Sequence, residues 1–240
     1  MRRFLAFDIE TAKILPEGVT DLLAHRPLGI TCAAATAGDL PQPLVWHGKD
    51  PSGHPSPRMT CEEAARLVDD LTALTSQGYT LVTWNGLGFD FDVLAEESGK
   101  TQECALLATA HVDMLFHVFC SLGHRVSLQK AAEGMRLGGK KAGVSGAVAP
   151  AMWAAGRFQE VLEYCTQDVR LALQLAEAGE RGRRFAWVTQ RGALRQMPLP
   201  DGWLTVRQAR TLPVPDTSWM SEPQRRDDFL RWLPKVISPL

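Results

Sequence analysis

Four acidic residues occupy three short, well-separated segments: Asp8 and Glu10 in Phe7-Asp8-Ile9-Glu10-Thr11, Asp90 in Asn85-Gly86-Leu87-Gly88-Phe89-Asp90, and Asp168 in Tyr164-Cys165-Thr166-Gln167-Asp168. Carboxylates on rigid elements hold divalent cations, and two such ions roughly 3.5–4 Å apart can cleave a phosphodiester at neutral pH. That chemistry requires the three segments to meet. Asp8 and Glu10 stand two apart on an apolar stretch that reads as a strand, so both side chains leave one face of a sheet. Burying them there is costly unless they are paired or bound to a cation. Tyr164 and Asp168 stand four apart on a helical pattern and project from one face about a turn apart. A phenol beside a metal-binding carboxylate could hold an attacking water. With a free pKa near ~10, positioning that water is its expected role, not removing the proton. The alternative is a tyrosine packing its ring on the core beside a solvated aspartate.

The surrounding pattern supplies the elements. Residues 4–10, 30–37 and 43–46 read as three strands opening the fold in a meander, with glycine and proline between them. Residues 49–57 are a loop. Thr60 followed by Glu63 is a capping box into an apolar-periodic helix through about Ser76. A further buried strand over 79–84 turns at Gly86 and Gly88 into a helix over 89–97, giving the alternation of an α/β domain. Short helices are expected over 113–121 and 127–133, then a mobile basic loop over 134–148 around Lys140 and Lys141. After a brief helical piece over 149–156, residues 158–178 carry the apolar spacing of a long amphipathic helix ending at Gly179. A hairpin over 185–197 and a last helix from Ser221 through Trp232 complete the chain.

At 240 residues the chain has room for one well-buried domain with an appendage, and 45% hydrophobic with 22% charged residues excludes wholesale disorder. The apolar run after Arg2 and Arg3 reaches Asp8 too soon for a signal peptide, and nothing resembles a membrane span, so a cytoplasmic location without membrane partners is expected. The five cysteines, odd in number and widely spaced, suggest reduced thiols. The net charge of −1 conceals an asymmetry. Residues 1–180 hold 15 Lys+Arg against 22 Asp+Glu, a balance of −7, and residues 181–240 hold 11 against 5, a balance of +6. That basic final stretch also carries Trp187, Trp203, Trp219 and Trp232. Cations with interleaved aromatics suit phosphate contact and base stacking. Packing of most of these tryptophans against the main domain is the favoured reading.

The three acidic segments together resemble a known family. Phe-Asp-Ile-Glu-Thr, then Asn85, Phe89, Asp90 and Leu94 in Asn-x-x-x-Phe-Asp-x-x-x-Leu, then Tyr164, Asp168 and Val169 in Tyr-x-x-x-Asp-Val, look like the ordered motifs of the DEDD (DnaQ-like) 3′→5′ exonucleases. The resemblance is closest to the exonuclease domain of family B DNA polymerases and its stand-alone relatives. Sister enzymes carry a histidine five residues before the last aspartate. Glu163 stands there and Tyr164 follows, which marks the tyrosine subclass. Ribonuclease D shares that subclass.

The resemblance implies an α/β fold, a ribonuclease H-like mixed five-stranded sheet flanked by helices, over residues 1–178, with 179–240 as a small α+β extension. It implies two divalent cations, Mg²⁺ or Mn²⁺. Asp8, Glu10 and Asp168 would ligate the first, Asp8 would bridge to the second, and Asp90 would help directly or through water. Thr11 would lie near the terminal nucleotide and Asn85 near the backbone of the next. Asp92 competes with Asp90, but two residues along a helix it points elsewhere. His117, Cys120 and His124, with His111 nearby, offer a zinc alternative whose spacing fits no common pattern. The implied substrate is nucleic acid, single-stranded DNA in preference to RNA, although nothing in the motifs senses a 2′-hydroxyl. An RNA-trimming enzyme is the near alternative. A binding or docking module with vestigial catalysis is the other, and the extension could serve a protein partner.

Overall fold

Strand β1 (Arg3–Thr11) sits at the centre of a five-stranded sheet. Its apolar residues alternate between two cores: Leu5, Phe7 and Ile9 join one, Phe4 and Ala6 the other. Period-two geometry therefore sends Asp8 and Glu10 toward the second core. In the computed structural model, which describes residues 2–138 and 146–234, the order is β3-β2-β1-β4-β5. Strands β2 (Ile30–Thr36) and β3 (Leu44–His47) add antiparallel on one side of β1, whereas β4 (Tyr79–Thr83) and β5 (Val112–Asp113) add parallel on the other. This is the mixed, helix-flanked sheet of the ribonuclease H-like fold.

One face is covered by α1 (Cys61–Ser76), α2 (Asp90–Ser98) and α3 (Thr101–Ala110), whose apolar residues fill the first core. Thr60 caps α1 with the full reciprocal box to Glu63. The opposite face receives α7 (Phe158–Gly182), which lays Val161, Cys165, Val169 and Ala172 across β1 and β2. That choice of face brings Tyr164 and Asp168 to the side from which Asp8 and Glu10 project. Helices α4 (Met114–Leu122), α5 (Leu128–Met135) and α6 (Ala149–Ala154) close the remaining sides.

Three expectations change. Residues 101–110 form α3, unforeseen because their apolar residues surround the helix instead of lining one stripe. Helix α7 runs past Gly179: a Cβ there would lie 2.6 Å from Nε1 of buried Trp203, so this glycine serves close packing, not termination. The expected last helix is only a 3-10 turn over Arg226–Phe229, in a stretch broken by Pro223. The hairpin forms as β6 (Arg184–Val188) and β7 (Leu194–Pro198), followed by the one-turn α8 (Val206–Ala209). Lys140 and Lys141 of the expected basic loop lie outside the described residues.

Of the four C-terminal tryptophans, Trp187 and Trp203 are buried, Trp232 is half-buried and donates from Nε1 to the Leu87 carbonyl at 2.7 Å, and Trp219 is 67% exposed. Phe229, Leu230 and Leu233 enter the first core. Among the described residues, no helix is long and apolar enough to cross a membrane.

Candidate functional site

The ladder between β1 and β4 stops at Ala6 and Val82, four residues before Glu10. Beyond it the chain leaving β4 swings away through residues 84–89, and the notch so opened is filled by the first turn of α2. There the Asp90 Oδ1 accepts from the Ile9 N–H at 3.1 Å, occupying a donor that a longer β4 would have used. A backbone bond thus pins a carboxylate between the two acids of β1. On the other flank the pairing with β2 shifts between Glu10, opposite Cys32, and Thr11, opposite Ile30.

All seven residues singled out in the sequence line one cleft of about 770 Å³: Asp8, Glu10, Thr11, Asn85, Asp90, Tyr164 and Asp168. Asp92 is not among the described residues that line it; that buried side chain pairs with Arg26. The histidine alternative does not converge either. His111 sits between Thr83 Oγ1 and the Ala108 carbonyl, and His117 Nδ1 accepts from Leu204 N–H. Burial lowers both to about 4, so they are neutral core groups, and it pushes the Cys120 thiol up to about 12.

Among the described residues the lining of the cleft is dominated by acids. Five carboxylates line the cleft, those of Asp8, Glu10, Glu17, Asp90 and Asp168. Among the described lining residues the one cation is Lys13, whose Nζ donates to the His25 carbonyl. Burial, then the charges of Asp90, Glu10 and Asp168, hold the Asp8 carboxyl well above the usual carboxylate range. Burial likewise lifts Asp90 to about 7, against the opposing pull of its bonds to Asp8 and to the Ile9 N–H. Tyr164 is raised further above its ordinary value by burial and by Asp168 and Glu10, so its hydroxyl keeps its proton.

Ligand atoms of Asp8, Glu10 and Cys165 fall within 4.8 Å of one another. The thiol is the odd member. Its contact with Cys32 and its burial hold it well above the ordinary thiol range, and it donates to the Asp8 carbonyl at 3.8 Å. A protonated thiol is no metal ligand, so the usable donors are carboxylate oxygens, a set that fits a hard divalent cation. Buried carboxylates crowded closely enough to favour protons fit such an ion as well.

Two residues of the site carried no signal in the sequence. Buried Asp113 organises the whole 84–89 turn: its Oδ1 accepts from Asn85 N–H at 3.1 Å and Phe116 N–H at 2.9 Å, and its Oδ2 from Leu87 N–H at 2.9 Å. Arg125 donates from Nη1 to the Asn85 Oδ1 at 3.2 Å. Their link to the motif exists only in three dimensions.

With this geometry in hand, the relatives fall into place. The family model of the RNase H superfamily matches residues 57–178, half of the sequence, and the chain belongs to that superfamily. Among solved structures, the family B DNA polymerase of the hyperthermophilic archaeon Pyrobaculum calidifontis superposes with a TM-score of 0.52 over 75% of this chain, at 21% identity. The likeness is one of fold. This chain spans 24% of the polymerase's length. No curated protein matches it. The superfamily and the polymerase fold agree with the resemblance read from the three acidic motifs.

Proposed function

We propose that this protein is a metal-dependent 3′→5′ exonuclease that hydrolyses single-stranded DNA from its 3′ end and releases nucleoside 5′-monophosphates. The observation that carries the reading is the convergence of Asp8, Glu10, Asp90 and Asp168 with Tyr164 in one cleft, from three segments spread over 160 residues of sequence. The unit proposed to carry it is residues 1–178, with 179–240 as an extension packed upon it.

In this reading the four carboxylates hold two divalent cations, Mg²⁺ or Mn²⁺. When bound, these supply neutralisation of the phosphate charge and an activated water. The chain's own residues do the rest. Tyr164, protonated across the physiological range, orients the attacking water through its hydroxyl and does not act as base. In this reading Thr11, at the end of β1, contacts the terminal nucleotide and Asn85 the backbone of the next; both line the cleft. Apolar Ile14 and Val148, both exposed, offer surface for unpaired bases in preference to a charged backbone groove.

An RNA-trimming enzyme of the same mechanism shares every one of these residues. The test is digestion of matched 5′-labelled DNA and RNA oligonucleotides with Mn²⁺. The proposal expects a ladder shortening one nucleotide at a time, faster on DNA. A faster RNA ladder overturns the sugar assignment, and internal cuts overturn the exonuclease assignment.

A further inference from the structure

The C-terminal extension reaches the candidate site through Arg125 of the main domain. Arg125, exposed at the end of the loop after α4, is held on three sides. Its guanidinium carbon stands 4.4 Å over the ring of Phe229, its Nε donates to Gln224 Oε1 at 3.0 Å, and its Nη1 donates to Asn85 Oδ1 at 3.2 Å. Phe229 is itself fixed between Phe116 and Phe119, at centroid distances of 5.3 and 5.0 Å. The same extension reaches the turn that carries Asn85 a second time, through Trp232 and the Leu87 carbonyl. Between the two contacts lies Gly88, where a Cβ would come within 2.9 Å of Asn85 Oδ1 and 3.0 Å of Phe229. Only glycine lets the turn, the asparagine and the extension meet so closely.

The contact settles which way the Asn85 amide faces. A guanidinium offers donors alone, so the atom toward Arg125 must be the amide oxygen, and the NH₂ group is turned the other way. Asn85 lines the cleft, and its backbone is held in the left-handed region, φ 78°, by the bond from its N–H to Asp113. A fixed donor on the rim of an acidic cleft suits an acceptor oxygen of a bound strand, on a phosphate or a sugar.

We propose that Arg125 is a positioning residue for substrate: braced by Gln224 and Phe229 of the C-terminal extension, it presents the Asn85 NH₂ to a single-stranded nucleic acid. The extension is then a working part of the site, not only a packed appendage. This rests on the nuclease reading above. Losing a charge-assisted contact of this kind corresponds to about a tenfold change or more in binding.

The test is a double-mutant cycle on Asn85→Ala and Arg125→Ala, read by KM and kcat on a single-stranded DNA oligonucleotide with Mn²⁺. Binding of the same fluorescent oligonucleotide by anisotropy in Ca²⁺ gives a second readout that needs no cleavage. Arg125→Ala is expected to raise KM and the anisotropy Kd about tenfold, to lower kcat far less, and to add almost nothing in the Asn85→Ala background. Arg125→Lys should restore little, since an ammonium cannot hold Gln224 and Asn85 at once. Trp232→Phe, which keeps an aromatic ring and deletes the bond to Leu87, should raise KM by a smaller factor. Equal binding by wild type and Arg125→Ala, or a full Arg125 effect in the Asn85→Ala background, would overturn the proposal. A wild-type protein that binds no oligonucleotide would overturn the nuclease reading beneath it.

Discussion

Replacing Asp90 by Asn should stabilise the metal-free protein, although it removes a carboxylate from the site's centre. Asp90 is 3% exposed, and burial raises its carboxyl from 3.8 to about 7. An unfolded chain releases that proton near pH ~3.9, so between about pH 4 and pH 7 the native state holds a proton that the unfolded state has lost. The sign follows: stability is highest below about pH 4 and falls as the pH rises through about 7. At about 1.4 kcal/mol per pH unit, ionising Asp90 costs the metal-free fold about 4 kcal/mol by pH 8. Asn carries no charge, yet its Oδ1 can still accept the Ile9 N–H that Asp90 holds at 3.1 Å. For a chain of this size the gain corresponds to a Tm rise of about 8–16 °C at pH 8. The assay is thermal unfolding of wild type and Asp90→Asn in chelator from pH 4 to pH 8. The wild-type Tm should fall across that window and the variant's should fall less, the remaining slope coming from Asp8, whose raised carboxyl the substitution leaves in place. Adding Mn²⁺ at pH 8 should raise the wild type more than the variant, which keeps Asp8, Glu10 and Asp168 but loses one carboxylate. Parallel pH curves for the two proteins would refute the reasoning, because Asp90 would then not be a strained, proton-hungry group.

Tyr164→Phe should slow hydrolysis about tenfold without moving the alkaline limb of the pH–rate profile, since burial and Asp168 keep the phenol protonated there; a shifted limb would make it a base. Gly179→Ala should destabilise the fold by about 1–3 kcal/mol in urea titration, because its Cβ would meet the Trp203 indole at 2.6 Å. A neutral result would mean that Trp203 can shift aside, despite the bond from its Nε1 to the Ala176 carbonyl.

What could be read ahead of the structure was whatever depends on periodicity. The alternation along residues 4–10 placed Asp8 and Glu10 on one face, and the spacing along 158–178 placed Tyr164 and Asp168 on another. That these are the same face follows from α7 packing across β1, which is a tertiary fact. The capping box at Thr60 was legible because it is local. Helix α3 was not: Lys100 at its start makes no side-chain cap bond, and its apolar residues form no stripe. Gly179 misled because a glycine that ends a helix and one that admits a tryptophan look alike in sequence. Asp113 and Arg125 stand 28 and 40 residues from Asn85, and no local rule links them to it.

The central claim is that the carboxylates of three segments make one hydrolytic metal site. Its most direct test is single-turnover digestion of a single-stranded DNA oligonucleotide labelled at its 3′-terminal nucleotide, by wild type and by Asp8→Asn, in Mn²⁺ and in chelator. The account predicts release of the labelled nucleoside 5′-monophosphate by wild type in Mn²⁺ alone, and none by Asp8→Asn, which should remain folded. Release in chelator, or an undiminished rate in Asp8→Asn, would contradict it.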